Sequence, residues 1–211
     1  MAVEYPDFFA RFYDLIYSKM RDGVDKEYFL NTINKTQGRT LEIGVGTGRF
    51  FISALKQGAD IYGIDISPSM IEVLKSKLNR ENYHRVSVQN IIDFQLEDQF
   101  DLIIAPFRVF MHVMEKEQQL QALNHIYENL NPGGQFIFDS FVPDLNQLLN
   151  GIEDYKDFDE EYQPGRRLKR YVTTQPDLIN QNIQVTFRLK WDEDDGFQIR
   201  KWDVPLRFFF R

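Results

Sequence analysis

The chain has 211 residues, carries 32 acidic and 25 basic side chains for a net charge of −7, and is 43% hydrophobic with 19 phenylalanines. That length is enough for one domain with a sizeable core, and the acidic balance argues against a broad nucleic-acid surface, which needs clustered positive charge. With no cysteine there is no disulfide or thiolate chemistry, the three histidines fall at no metal-ligand spacing, and no apolar run reaches the ~20 residues of a membrane span, so neither a metal nor a membrane is expected.

In chain order, Met1 to Pro6 lacks the basic and apolar regions of a secretory leader, and a cytoplasmic enzyme is expected. Phe8 to Met20 and Val24 to Ile33 read as two amphipathic helices. Arg39 to Ile43 reads as the first strand, and Gly44, Gly46 and Gly48 follow it at once. A helix is predicted over Arg49 to Gln57, ending at Gly58, then a second strand over Asp60 to Ile64, closed by Asp65. Ser67 and Pro68 start the next helix as N-cap and first helical residue, and it runs to about Asn79. Arg85 to Gln89 is the third strand, and Phe100 to Ala105 the fourth, apolar enough for a buried parallel strand. Glu115 to Leu130 is a helix stopped by Asn131-Pro132-Gly133-Gly134, and Gln135 to Phe141 is the fifth strand. Such alternation with short connections predicts an α/β fold, a parallel sheet with helices on both faces.

Beyond Phe141 the character changes. Asp154 to Glu161 is acidic and reads as a solvated connecting segment or as part of a lid. Ile183, Val185, Phe187, Leu189 and Trp191 alternate with polar residues, the pattern of an antiparallel strand buried on one face. Asp194-Asp195-Gly196 is a turn signal. Phe197 and Ile199 resume the alternation, which slips phase before Trp202, Val204 and Leu206, and a bulge near Lys201 would explain the slip. Residues 1–141 are thus expected to form the core with its N-terminal helices, and 142–211 a linker and antiparallel strands over the catalytic face of the same domain.

The glycine turn carries most of the chemistry. A glycine turn between strand and helix lets a ligand approach the backbone and points the first helical N–H groups at it. Asp65, at the end of the next strand, is placed to bond ribose hydroxyls. The spacing is Gly-x-Gly-x-Gly, whereas dinucleotide sites usually show Gly-x-Gly-x-x-Gly to admit a pyrophosphate. Glu42 stands two residues before the first glycine, and an acid there suits a cationic ligand better than a phosphate.

Thr40 to Arg49 resembles motif I of the class I S-adenosylmethionine (SAM)-dependent methyltransferases, small-molecule type. Five further segments resemble this family in order: Tyr13 to Tyr17, Asp65 to Met70, Val88 to Phe94, Phe100 to Phe107, and Asn131 to Gly134. The resemblance covers Phe8 to Phe141 and implies a Rossmann-like doubly wound sheet in the order 3-2-1-4-5. It implies SAM as cofactor and S-adenosylhomocysteine (SAH) as product. It implies that Glu42 lies near the methionine moiety, that Gly44, Val45 and Gly46 form the cofactor turn, and that Tyr13 lies over the cofactor. By the same resemblance Asp65 takes the ribose hydroxyls and Ile66 and Met70 contact the adenine faces. Asn90 stands where the family commonly has an Asp, and its side-chain oxygen can accept the adenine amino bond without the charge. Asp93 is the rival acid. Ile91 and Ala105 complete the implied cofactor set.

The activity implied is methyl transfer to a small-molecule O or N acceptor, with no nucleic-acid partner. His112, just past the fourth strand, is the candidate general base, against a role in ordering its loop or lining the pocket. Arg108 is a candidate for holding an acidic substrate, against a surface ion pair, and Tyr5, Tyr13 and Tyr17 for closing the site. Two other readings stay open, a nicotinamide-dependent oxidoreductase and a non-catalytic SAM-binding protein. The family's usual closing helix and hairpin are not evident in the sequence, which runs to Phe208, Phe209 and Phe210. The exposed sheet edge is therefore expected to be covered by the strands of 166–210 or by a second subunit in a homodimer.

Overall fold

The computed structural model of the protein describes residues 4–20, 24–141 and 144–209. They divide into two compact units, Met1–Asp139 and Ser140–Arg211. In the first, helices α1 (Asp7–Met20) and α2 (Val24–Lys35) precede the sheet. Each has acid in its first turn and lysine in its last, the sense that suits the helix dipole. One stripe of α1, through Phe9, Phe12 and Ile16, is buried.

Strands β1 (Arg39–Ile43), β2 (Asp60–Asp65), β3 (Val86–Val88), β4 (Phe100–Ala105) and β5 (Leu130–Phe138) form a parallel sheet. Their order is β3-β2-β1-β4-β5, as the resemblance implied. Helices α3 (Phe51–Lys56), α4 (Pro68–Lys77) and α5 (Lys116–Glu128) alternate with the strands. Ile33 of α2, Phe51 of α3, Leu74 of α4, Ile61 of β2 and Leu102 of β4 belong to one core cluster. Each such side chain contributes ~1.5–3 kcal/mol by leaving water.

The element ends differ from the sequence reading for local reasons. Turn backbone extends past the glycine turn through Phe50, so α3 starts at Phe51 rather than Arg49. Leu78 is extended, which ends α4 at Lys77, and a 3-10 turn over Arg80–Arg85 leads into β3. Strand β5 takes in Asn131 to Gly134: its register on β4 jumps from Phe100–Leu130 to Leu102–Gln135. The Pro-Gly-Gly segment is an irregularity inside the strand, not its boundary.

The second unit holds α6 (Leu145–Asn150) and an antiparallel sheet of β6 (Ile152–Gln163), β7 (Arg166–Asp177), β8 (Asn182–Glu193) and β9 (Gly196–Arg207), in that order. Ile183, Val185, Leu189 and Trp191 of β8 are buried as the alternation predicted. The acidic segment is not a loop. It is β6, and its acids face bases across the strands: Arg170 donates to Asp157 at 3.0 and 2.7 Å, and Arg167 to Asp159 at 2.9 Å. The expected bulge at Lys201 is also absent, because β8 and β9 pair without interruption from Asn182–Arg207 to Glu193–Gly196. The phase slips because β9 changes its apolar face. Trp202, Val204 and Leu206 sit opposite Phe187, Val185 and Ile183, while Phe197 and Ile199 point the other way and are exposed.

Phe208 is fully buried and donates its N–H to the Gln181 carbonyl at 2.9 Å. Phe209 is half-buried, and Phe210 lies outside the described residues. Among the described residues β6 to β9 pair only with one another, so they add no strand to the parallel sheet, and β5 is its edge.

Candidate active site

Where β1 runs out, the backbone turns through Gly44, Gly46 and Gly48 at φ +69°, +54° and +89°. A side chain would cost ~1–2 kcal/mol in such left-handed geometry. Sterics add a second requirement at Gly44, where a Cβ would fall 2.2 Å from Val109 Cγ2. Gly46 by contrast presents bare backbone, with no atom nearer than 3.9 Å to such a Cβ. The Gly44 and Val45 N–H groups donate to the Ile64 carbonyl at 2.8 and 2.9 Å and stitch the turn to β2.

Asp65, at the end of β2, accepts from the Gly46 N–H at 2.9 Å and from the Ser67 N–H at 2.8 Å. Ser67 caps α4 by accepting from the Met70 N–H at 3.4 Å, and its hydroxyl donates to the Tyr5 carbonyl at 2.8 Å. The turn, the acid, the cap of α4 and the segment before α1 are thereby one hydrogen-bonded assembly.

A cleft of about 1060 Å³, open mouth included, is lined by this assembly. The sheet order arranges its wall. Asn90 and Ile91 follow β3, Asp65 and Ile66 end β2, Gly44 and Gly46 end β1, and Phe107, Val109 and His112 follow β4. This is the position outside the carboxyl ends of the strands where α/β sheets bind ligands. Tyr5 and Tyr13 also line it, 5.8 Å apart centre to centre, with Tyr5 6.2 Å from His112 and Tyr13 6.3 Å from Phe107. No lysine or arginine is among the described residues of the wall.

The loop after β4 is bent by two residues in the left-handed region, Phe107 at φ +63° and Arg108 at φ +67°. The Arg108 N–H donates to Asp139 at 2.7 Å, which ties this loop to the residue following β5.

Burial governs the titrating groups. It raises Asp65, against the lowering effect of the Ser67, Gly46 and Ile66 N–H donors. It holds Tyr13 well above its ordinary value, aided by Tyr5 and Tyr17, so the phenol stays protonated. It pushes His112 down to about 4, helped by the Arg108 charge, so the imidazole is neutral at physiological pH. The His112 ring is partly open to the cleft, but its Nδ1 is shut away without a hydrogen-bond partner among the described residues.

Of the residues proposed from sequence, Tyr13, Gly44, Gly46, Asp65, Ile66, Met70, Asn90, Ile91 and His112 line the cleft. Glu42, Val45 and Ala105 do not. Glu42 is 1% exposed, takes a backbone bond from Phe51 and leaves Oε2 without a partner; burial holds its carboxyl well above the usual range. Val45 turns inward onto Gly63, where a Cβ would fall 2.8 Å from it. Ala105 is fully buried in β4. Asn90 spends its side-chain oxygen on the Ile92 N–H, at 3.3 Å, in a local turn. Asp93 is exposed, Arg108 does not reach the wall, and His125 donates to the Phe94 carbonyl. Gln89 and Gln118 line the cleft without any sequence signal that singles them out.

The Methyltransferase domain family matches residues 41–136, which run from the core of β1 into β5. The malonyl-[acyl-carrier protein] O-methyltransferase 1 of Ilyobacter polytropus is 28% identical over 94% of this chain and 70% of its own length. Over these spans the chain is similar to methyltransferases, in keeping with its resemblance to the class I SAM-dependent family. An uncharacterized methyltransferase of Bacillus cereus is 26% identical over 74% of this chain and 66% of its own length, so this methyltransferase spans about two thirds of the curated relatives it matches. Among solved structures, a sugar N-methyltransferase from Streptoalloteichus superposes with a TM-score of 0.78 at 18% identity, covering 94% of this chain and 78% of that one. A SAM-dependent methyltransferase from Clostridium acetobutylicum gives 0.75 at 17% identity, covering 96% and 82%. These two likenesses are of fold. SAM is the cofactor that the resemblance implies, and the cleft's chemistry suits it: bare backbone at Gly46, an acid at Asp65, and no lysine or arginine among the described residues of the wall to repel a sulfonium.

Proposed function

We propose that this methyltransferase acts on a small-molecule O or N acceptor, with the cofactor held along Gly44, Gly46, Asp65, Ile66, Met70 and Asn90. The observation that carries the reading is one cleft with the glycine turn and Asp65 on one side and Tyr5, Tyr13, Phe107 and His112 on the other. The bound cofactor supplies a methyl group already activated on a sulfonium. The chain then has to place the acceptor atom in line with that methyl, and proximity supplies much of such a rate. An acceptor hydroxyl or amine that took up the methyl would have to shed a proton. In this reading neutral His112, which lines the cleft, would take that proton or hold it in a hydrogen bond. Its lowered basicity suits an acceptor that sheds its proton only as the bond forms.

A small acceptor is supported by the net charge of −7 and by a wall without lysine or arginine. Both acceptor atoms have support in names alone, an O-methyltransferase among the relatives and a sugar N-methyltransferase among the similar folds. Calorimetry with SAH and NAD, followed by turnover of SAM against hydroxyl and amine acceptors, is the test. NAD binding without SAH binding would restore the oxidoreductase reading. Salt-sensitive binding of tRNA or DNA at micromolar protein would overturn the small-molecule acceptor.

A further inference from the structure

Between Gly46 and Gly48 stands the one residue of the turn with a side chain that can be gripped. Thr47 is 1% exposed, and its Oγ1 donates to Asp14 Oδ1 of α1 at 2.6 Å. Lys77, in the last turn of α4, donates its Nζ to the other Asp14 oxygen and to the Thr47 carbonyl, the latter at 2.9 Å. The side chain and the carbonyl of one turn residue are thus held from two different helices. Beyond the turn, Arg49 makes a two-pronged pair with Asp25 of α2, at 3.0 and 2.8 Å. The adjoining wall is joined to the same α1 and α4 elements: the Ser67 hydroxyl reaches the Tyr5 carbonyl, and Ser69 donates to Asp7.

These contacts answer a difficulty built into the turn. Glycines lose more conformational freedom on ordering than any other residue, and this turn has three at positive φ. A turn left loose would lose that entropy when the ligand binds, and affinity would fall accordingly. A bond to the residue between the glycines orders the turn beforehand. It also fixes α1, which places the neighbouring Tyr13 in the wall.

We propose that Asp14 is a positioning residue of the cofactor site: it holds Thr47, and with Lys77 sets the glycine turn in the shape that receives the cofactor. This rests on the reading that the cofactor binds at that turn. Asp14 itself does not line the cleft.

The test is SAH affinity by calorimetry and the KM for SAM in Asp14→Ala, Thr47→Val and their double variant, with Thr47→Ser as the conservative control. Asp14→Ala and Thr47→Val are each expected to weaken SAH by about tenfold, as loss of a charge-assisted bond would. The double variant is expected to be little worse than Asp14→Ala alone, because both changes remove the same Thr47–Asp14 bond. Thr47→Ser, which keeps the hydroxyl, is expected to bind SAH within about threefold of the parent. KM for SAM should rise more than kcat falls. A general loss of fold would instead lower the melting temperature of Thr47→Ser and of the others without regard to the hydroxyl. Asp14→Asn guards against misfolding of the alanine variant, since it retains an oxygen for Thr47 and is expected to fall between parent and Asp14→Ala. SAH affinity of Asp14→Ala within about twofold of the parent overturns the proposal, as do fully independent effects of the two single changes. Asp65→Ala separates the two readings: if it leaves SAH binding unchanged, the cofactor site itself is misplaced; if it weakens binding and Asp14→Ala does not, only the positioning role fails.

Discussion

The Gly46 N–H lies 2.9 Å from Asp65 Oδ2, so the turn after β1 and the acid ending β2 are held by a direct bond rather than merely adjacent. Under the proposed function Asp65 would therefore have two duties, to shape the turn and to meet the ligand.

Asp65→Ala should accordingly cost twice. Losing ligand hydrogen bonds should weaken SAH by roughly 1–3 kcal/mol. Losing the acceptor of the Gly46 and Ser67 N–H groups should also lower the stability of the ligand-free protein. Calorimetry measures the first and urea unfolding the second. A weakened complex with unchanged ligand-free stability would show that the Gly46 and Ser67 bonds contribute nothing to the fold.

His112→Ala should lower turnover while leaving SAH affinity within about threefold, because a proton acceptor acts in the transition state and not in cofactor binding. The same residue has a signature in stability. Its pKa is about 4 in the fold, against ~6.5 in the unfolded chain, so on acidification the unfolded chain takes up the proton first. The stability from neutral His112 is full above about pH 6.5 and is lost as pH falls toward about 4. Unfolding followed across that window should show a shallower acid limb in His112→Ala than in the parent. Unchanged turnover would remove His112 from the mechanism.

Glu42 behaves in the opposite sense. Its carboxyl is held above the ordinary value by burial, so over the interval above ~4.5 the folded chain keeps a proton the unfolded chain has lost. Stability falls as pH rises through that interval. Glu42→Gln keeps the shape and cannot titrate, so its stability relative to the parent should improve as pH rises above the ordinary carboxyl range. A difference independent of pH would mean that Glu42 is ionised in the fold.

In the antiparallel sheet the two acids of β6 should differ. Asp157 holds Arg170, which is 2% exposed, and Asp157→Ala removes two charge-assisted bonds from a buried guanidinium, a loss of about 1.5–3 kcal/mol. Asp159 serves Lys156, Arg167 and Lys169 in a solvated setting, and Asp159→Ala should change thermal stability little. Equal effects in melting experiments would contradict this ranking.

The parallel sheet was legible because its signals are local. An apolar strand, a glycine turn and an N-cap serine are read from a few neighbouring residues, and the strand order came with the family resemblance. What could not be read depends on distant partners. Strand β6 looked like a charged linker because the bases that match its acids lie on β7 and β8. The phase slip in β9 looked like a bulge because both faces of that strand carry apolar residues in different stretches. Within the cleft, the residues with backbone roles, Gly44, Gly46 and Asp65, were legible from spacing. Val45 was not, because its direction depends on the space that Gly63 leaves for it. Gln118 enters the wall from the first turn of α5, and nothing in its neighbours marks it.

Phe107 and Arg108 stand in a conformation that neither residue favours by itself, and the bond that holds Arg108 comes from Asp139, outside the cleft. The loop beyond β4 is thus tied to the residue that follows β5. Under the proposed function this gives the wall a remote handle: Asp139→Ala should let Phe107 and Arg108 leave their positive-φ conformation and change acceptor preference, while SAH affinity holds.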